Sequence, residues 1–288
     1  MMAKFHANSE KIGLALSGGA IRGAAHIGVL KVFEAQGIRI DCISGTSIGA
    51  MIAALYAFGK TPAEIEKLAC DFNWLDISKF IIPKLGLLSN EEMGDMLTQW
   101  LGPVRIEDAP IPLAIVATDI NTGDKIVFRR GSVAHAVMAS TCIPGIFTPI
   151  EENGRLLVDG LLVENVPISP LQSMDADLIL AVDLSGDRKY KQADDIIDVI
   201  MNSFEIAVDT NTMHQLKAAD IVIQPKVSEF SRTDTGQVAE LIRRGEIAAM
   251  AAVPVIRDRI EQRRRVSLLR RLQKLLRRPT HPVYVNRQ

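Results

Sequence analysis

The sequence is poor in residues that staple a chain or carry it across a membrane. Three of its 288 residues are cysteine, Cys42, Cys70 and Cys142. An odd number, widely spaced, excludes a disulfide framework and a zinc cluster. Aromatic residues make up only 5%, and none interleaves with the basic residues from Arg263 to Arg278, so the stacking platform of a nucleic-acid binder is missing there and no nucleic-acid partner is expected. The richest apolar stretch, Gly45 to Gly59, is shorter than the ~20 residues of a membrane span. The opening MMAKFHANSE lacks the apolar run of a secretory signal. Together these absences lead to the expectation of a cytoplasmic protein.

Hydrophobic residues at 48% and charged residues at 23% are globular values, which exclude a disordered or fibrous chain. The net charge of −1 hides an asymmetry. Residues 263–288 hold nine Lys or Arg and no acid, leaving 24 basic against 34 acidic residues elsewhere. The reading is therefore a polar N-terminal segment (1–10), one α/β domain (11–262) and a basic tail (263–288).

Within the domain, short apolar runs alternate with 3.6-period patterns. Lys11 to Ser17 reads as a buried strand, Gly23 to Gln36 as a helix stopped by Gly37, Ile38 to Ser44 as a second strand and Ile48 to Phe58 as a second helix. Such a βαβα opening implies a mainly parallel sheet with helices on both faces. Pro62 opens a helix behind the cap Thr61, and Ser89 with Glu92 is expected to form a capping box before a helix to Leu101. Trp74 to Leu88 is irregular and apolar, either a lid over a site or a packed loop. Strands are expected at Leu113 to Asp119, Lys125 to Phe128, Arg155 to Val158, Asp177 to Asp183 and Ile221 to Gln224, with long helices over Ala193 to Gln215 and Thr235 to Gln262.

Two glycine-bearing turns carry the chemistry. Gly45-Thr46-Ser47-Ile48-Gly49 lies between a predicted strand and a predicted helix, the setting of a nucleophile elbow. Glycines two positions either side permit the sharp turn, which pushes the Ser47 side chain into the cleft, and the Ile48 N–H at the helix start can meet an oxyanion. The other reading is a small-residue turn that only eases packing. Ser17-Gly18-Gly19-Ala20-Ile21-Arg22-Gly23 also joins strand to helix. Its backbone N–H groups can converge on an anion with the Arg22 cation nearby, as an oxyanion hole or a phosphate cradle. The pattern is neither a dinucleotide fingerprint nor a Walker A loop.

A serine nucleophile needs a base, and His6, His26, His135, His214 and His281 have no catalytic setting. Asp159, ending the apolar strand Leu156-Leu157-Val158 before Gly160, is the better candidate. A carboxylate at a strand end in a low-dielectric cleft is more basic than one in water. An Asp-Gly turn is the alternative.

Taken together, the glycine-rich segment, the Gly-Thr-Ser-Ile-Gly elbow, Ala139-Ser140 with Pro144, Phe147 and Pro149, and Asp159-Gly160 resemble the patatin-like phospholipase family. Their order and spacing are similar in particular to the bacterial proteins related to the catalytic domain of neuropathy target esterase. The resemblance covers Lys11 to Asp183. It implies a three-layer α/β fold and a Ser-Asp dyad of Ser47 and Asp159. It also implies an oxyanion hole of Gly18, Gly19 and Ala20 amides with Arg22 close by, and hydrolysis of phospholipid or lysophospholipid acyl esters through an acyl-enzyme. No metal or other cofactor is implied. The chain departs from the family pattern at Ala20, where a third glycine is usual, and at Leu161, where a small residue is usual. An acyltransferase on the same dyad and a membrane-recruited regulatory protein with vestigial activity are the rival readings. Acceptor-dependent turnover and absence of fluorophosphonate labelling would reveal them respectively.

In the tail, Leu268, Leu269, Leu272, Leu275 and Leu276 fall on one helical face of Arg263 to Arg278, with Arg and Lys around it and Pro279 ending the run. Such a helix suits an anionic membrane surface, which would make the protein peripheral there. Docking on the chain's own body or on a second subunit are the alternatives.

Overall fold

A computed structural model describes residues 10–71, 79–80, 88–186, 190, 192–231 and 234–276. Ten strands are described: β1 (Ile12–Leu16), β2 (Cys42–Thr46), β3 (Lys79–Phe80), β4 (Leu88–Ser89), β5 (Leu113–Asp119), β6 (Lys125–Phe128), β7 (Ile150–Glu152), β8 (Arg155–Asp159), β9 (Leu178–Val182) and β10 (Ile221–Ile223). The helices are α1 (Ala24–Ala35), α2 (Ile48–Ala57), α3 (Pro62–Asp71), α4 (Glu91–Leu101), α5 (Val133–Ser140), α6 (Leu161–Glu164), α7 (Ile168–Gln172), α8 (Ile196–Leu216) and α9 (Val238–Leu276).

Alternation along the buried strands builds the three layers. Leu14 and Leu16 of β1 and Leu178, Leu180 and Val182 of β9 point into the larger core, which α1, α2, α4, α5 and α9 cover. Ala15, Ile179 and Ala181 point to the opposite face, where Val166, Ile168 and Leu171 meet them. Period-two side-chain placement makes both faces of a parallel sheet apolar. The expected three-layer α/β fold with a mainly parallel sheet is the one observed.

The sheet runs β10-β9-β1-β2-β5-β8-β7, and β6 also pairs with β5. β2 pairs parallel with residues 113–116 of β5 and β8 antiparallel with residues 117–119. β6 pairs with residues 115–118, overlapping both registers. A strand has two edges, so β6 takes one and β2 and β8 share the other, meeting end to end. Thr46 faces Val116 and Asp159 faces Ala117, so the carboxyl ends of β2 and β8 abut.

Three expectations shift. The second strand begins at Cys42 rather than Ile38, because Gly37 turns with φ 67° and the Ile38 N–H returns to the Phe33 carbonyl to close α1. The cap of α4 is Asn90, not Ser89; Ser89 Oγ accepts the Glu91 N–H instead. The last helix continues past Gln262 to Leu276. Most of the Trp74 to Leu88 segment, residues 1–9, and the side chains from 266 onward lie outside the described residues, as do His6, His281 and Pro279. Among the described helices none is long and apolar enough to cross a membrane.

Candidate active site

Ser47 sits between β2 and α2 with φ 55° and ψ −129°. Such a conformation costs a non-glycine residue roughly 1–3 kcal/mol and persists only when its surroundings enforce it. Here the Ser47 N–H donates to Ser140 Oγ at 2.8 Å, and the Ser140 hydroxyl donates to the Val116 carbonyl at 2.6 Å. The two flanking glycines are required by space. A Cβ at Gly45 would lie 2.4 Å from the Gly49 oxygen, and one at Gly49 would lie 2.3 Å from the Leu16 oxygen. With hydrogen at both positions α2 starts directly against the ends of β1 and β2. Its first N–H groups, that of Ile48 among them, have no acceptor within the helix.

The abutting ends of β2 and β8 bring Asp159 to Ser47. Its backbone is held on both sides, the N–H by the Cys142 carbonyl at 2.9 Å and the carbonyl by the Thr118 hydroxyl at 2.9 Å. Gly160 has Val116 oxygen where its Cβ would be, at 2.3 Å, which is why glycine must follow the aspartate. The carboxyl group is fully buried. Oδ1 accepts the Leu161 N–H at 2.9 Å, while Oδ2 is buried with no hydrogen-bond partner of normal geometry among the described residues. Burial drives the pKa up from 3.8 to about 7, with the nearby Ser47 hydroxyl and the Leu161 N–H limiting the rise. A carboxylate with one oxygen anchored and the other bare beside a serine hydroxyl is equipped to take a proton.

The glycine-rich loop lies against this pair. A Cβ on Gly18 would be 3.2 Å from Ser47 Cβ and 3.0 Å from Asn165 Oδ1. The Gly18 N–H is already engaged by Asn165, through Oδ1 at 3.1 Å and the carbonyl at 3.4 Å, so of the expected oxyanion donors Gly18 is the one already committed. Ala20 has φ 52°, a left-handed conformation that glycine adopts without steric cost. Arg22 goes elsewhere than expected. Its Nε donates to the Phe230 carbonyl at 3.0 Å and a terminal nitrogen to Ser228 and Phe230 carbonyls at 2.9 and 2.7 Å. The guanidinium ties the loop ahead of α9 to the glycine-rich turn.

His26 is buried under the same loop with Nε2 paired to the Ser17 carbonyl at 2.8 Å, and burial lowers its pKa to about 4, keeping the ring neutral. His135 lies 3.4 Å from Glu152 and edge-on to Phe128, and His214 is next to Lys217 on the exposed end of α8. None of these contacts involves Ser47. Cys142 is buried with its thiol donating to the Thr148 carbonyl and its pKa raised to about 12 by burial and then by Asp159. Among the described residues no three His, Cys, Asp or Glu converge as a metal site.

Asn165, which the sequence reading did not single out, and Ser140, quoted there only for resemblance, hold the geometry. Both act through side-chain bonds to backbone 93 or more positions away, which no local pattern marks. A small apolar cavity of about 30 Å³ is lined by Ile21, Ile48, Met51, Ile52, Leu55 and Trp100 among others. Phe147, quoted on sequence for the resemblance, is buried and bridges to Leu88 of β4.

A family model described as patatin-like phospholipase matches residues 14–171, just over half of the chain. An uncharacterized NTE family protein of Mycobacterium tuberculosis is 37% identical over 182 residues, covering 62% of this chain and 50% of that one. Lysophospholipase NTE1 of Saccharomyces cerevisiae is 31% identical over 185 residues, covering 62% of this chain and 11% of that one. The chain thus spans about half the length of the mycobacterial relatives it matches. Among solved structures, VipD from Legionella pneumophila aligns with a TM-score of 0.50 at 14% identity over 86% of this chain and 67% of that one, a likeness of fold.

Proposed function

The chain belongs to the patatin-like phospholipase family, and from that premise we propose that it is a serine hydrolase of lipid acyl esters working through a Ser47-Asp159 dyad. The observation that carries the reading is the bare Oδ2 of a buried Asp159, pKa about 7, beside a serine held at φ 55°. A base is most useful when its pKa lies near the working pH.

In the proposed cycle Asp159 Oδ2 accepts the Ser47 hydroxyl proton as Oγ bonds to the ester carbonyl carbon. The oxyanion that forms is met by the N–H groups of Ile48 and of the Gly19-Ala20 turn, each donor being worth roughly 3 kcal/mol in the transition state. Collapse breaks the ester C–O bond, the leaving alcohol takes the proton from Asp159, and the acyl group stays on Ser47. Water then gives its proton to Asp159, attacks the acyl carbon and releases the fatty acid, with the proton returning to Ser47. The uncharged walls at Ile21, Ile48 and Met51 suit the start of an acyl chain. The relatives named lysophospholipase support phospholipids or lysophospholipids as the substrate class.

The test is an ester panel with Ser47→Ala and Asp159→Asn proteins. Both are expected to remain folded and to lose hydrolysis, and Ser47→Ala to lose fluorophosphonate labelling as well. Undiminished turnover by folded Ser47→Ala protein refutes the dyad. A larger loss on replacing His26, His135 or His214 than on Asp159→Asn assigns the base elsewhere.

A further inference from the structure

Helix α8 is amphipathic the wrong way round for a helix on a soluble surface. Ile196, Val199, Ile200, Ile206 and Met213 are exposed, at 75%, 53%, 60%, 47% and 62%, and between Val199 and Met213 the acids are withdrawn, Glu205 half-buried and Asp209 buried. The polar groups that bond to the body face inward, while the exposed Ser203 and Thr210 hydroxyls donate to the helix's own Val199 and Ile206 carbonyls. Asn211 and Gln215 donate to the Val163 carbonyl at 3.1 and 3.0 Å, Thr212 Oγ1 accepts from Asn165 at 3.3 Å, and Asp209 accepts the Tyr190 hydroxyl at 2.9 Å. Surface helices ordinarily place these classes the other way.

Position gives the face a purpose. β9 and β10 are parallel neighbours, so α8, which joins them, runs antiparallel to the strands with its N-terminus toward their carboxyl ends. Thr212 is already level with the glycine-rich turn, through Asn165 and Gly18. The four or so turns before it, roughly 24 Å at 1.5 Å per residue, therefore extend beyond the strand ends on the side where Ser47 lies. The basic tail leaves from the other side. Arg263 donates to the Asp177 carbonyl and, at 2.6 Å, to Asp220 Oδ1, and these residues immediately precede β9 and β10.

We infer that the exposed apolar face of α8, from Ile196 to Met213, is the surface by which the protein sits on a neutral or zwitterionic lipid interface with its active site turned toward it. The inference rests on the lipid-ester reading above. The face holds no Lys or Arg, and its only acids that are not buried, Asp198 and Glu205, are half-buried, which selects zwitterionic lipid over anionic lipid, since apolar burial in the interface supplies the attraction and needs no counter-charge.

The test uses the full chain, an Ile196→Asp/Ile200→Asp double variant and a chain truncated before Arg263. Each is compared for co-sedimentation with phosphatidylcholine vesicles at low and high salt, for hydrolysis of vesicle-borne lysophospholipid and of a short soluble ester, and for mass in solution. The full chain is expected to bind with little salt dependence. The double variant, altered at positions already facing water, is expected to lose roughly tenfold or more in vesicle binding, with vesicle turnover falling alongside and soluble-ester turnover kept. Equal vesicle binding by the two proteins overturns the inference. So does loss of binding only on truncation, or a fall from dimer to monomer in the double variant with vesicle binding unchanged, which would assign the face to a second copy. Failure of the full chain to cleave either ester overturns the hydrolase reading alone, because sedimentation is read without turnover.

Discussion

Titrating Asp159 gives two signatures of opposite sign. Its pKa is raised from 3.8 to about 7 by burial, and at about 1.4 kcal/mol per pH unit that gap is worth roughly 4 kcal/mol of preference for the protonated form in the folded protein. As a general base it must be ionised. With a pKa of about 7, about a tenth is ionised at pH 6 and about a hundredth at pH 5, so kcat/KM should climb about tenfold per pH unit and level off above pH 7. An unperturbed carboxylate would already be on its plateau at pH 5.

Stability should move the other way. Between pH 3.8 and 7 the folded state holds a proton that the unfolded state has released. The stabilisation is complete below 3.8 and is lost as pH rises through the folded value. Asp159→Asn, which cannot ionise, should therefore gain on the wild type by about 1.4 kcal/mol per pH unit from pH 5 to 7, approaching roughly 4 kcal/mol above that. Urea unfolding of both proteins at half-unit pH steps, beside kcat/KM on a soluble ester, measures both curves. A rate plateau reaching down to pH 5, or a stability gap independent of pH, refutes the account of Asp159.

Ser140→Ala leaves the Ser47 N–H and the Val116 carbonyl without their hydroxyl partner, at about 1–3 kcal/mol for each buried group; both the melting temperature and kcat should fall. Asn165→Ala removes the Oδ1 acceptor of the Gly18 N–H and leaves only the longer bond to the residue-165 carbonyl; it should lower kcat more than it raises KM, which steady-state kinetics on a soluble ester will decide. Arg22→Ala should destabilise the protein by loosening the 228–230 loop, and Lys should not rescue it because it lacks the guanidinium fork. Lost turnover at an unchanged melting temperature would return Arg22 to the oxyanion.

The elbow was legible in the sequence because its requirement is local. Gly45 and Gly49 are dictated by backbone within five residues of each other and by the adjoining strand. Asp159 was legible as an acid ending an apolar strand, since Leu157 and Val158 are buried beside it. What brings it to Ser47 was not, because two strands sharing one edge of β5 is a matter of register between segments 38 to 70 positions apart. The same distance hides Arg22, whose carbonyl partners lie 206 and 208 positions downstream. A cation beside a glycine-rich turn reads as an anion site until a distant loop is seen to use it. The start of β2 was misplaced because Ile38 and Ile40 are buried like strand residues while serving only to return the chain from α1.

Leu161, the departure from the family pattern beside Asp159, bears on activity less than its position suggests. The contact that orients the carboxyl group is the backbone N–H of residue 161 on Oδ1, and every residue except proline supplies that donor. The side chain is only partly buried at the start of α6, and α6 is the element on which α8 packs. A small residue there would therefore serve the approach of neighbouring structure rather than the aspartate. Beside Asp159 the position that tolerates no exchange is Gly160, where a methyl group would strike the Val116 carbonyl at 2.3 Å and push apart the two strand ends that hold Asp159 to Ser47. Loss of activity from substitution at 160 should accordingly come with displacement of β8, whereas Leu161→Ala should keep the pH profile of the wild type, because the group that sets Oδ1 is unchanged.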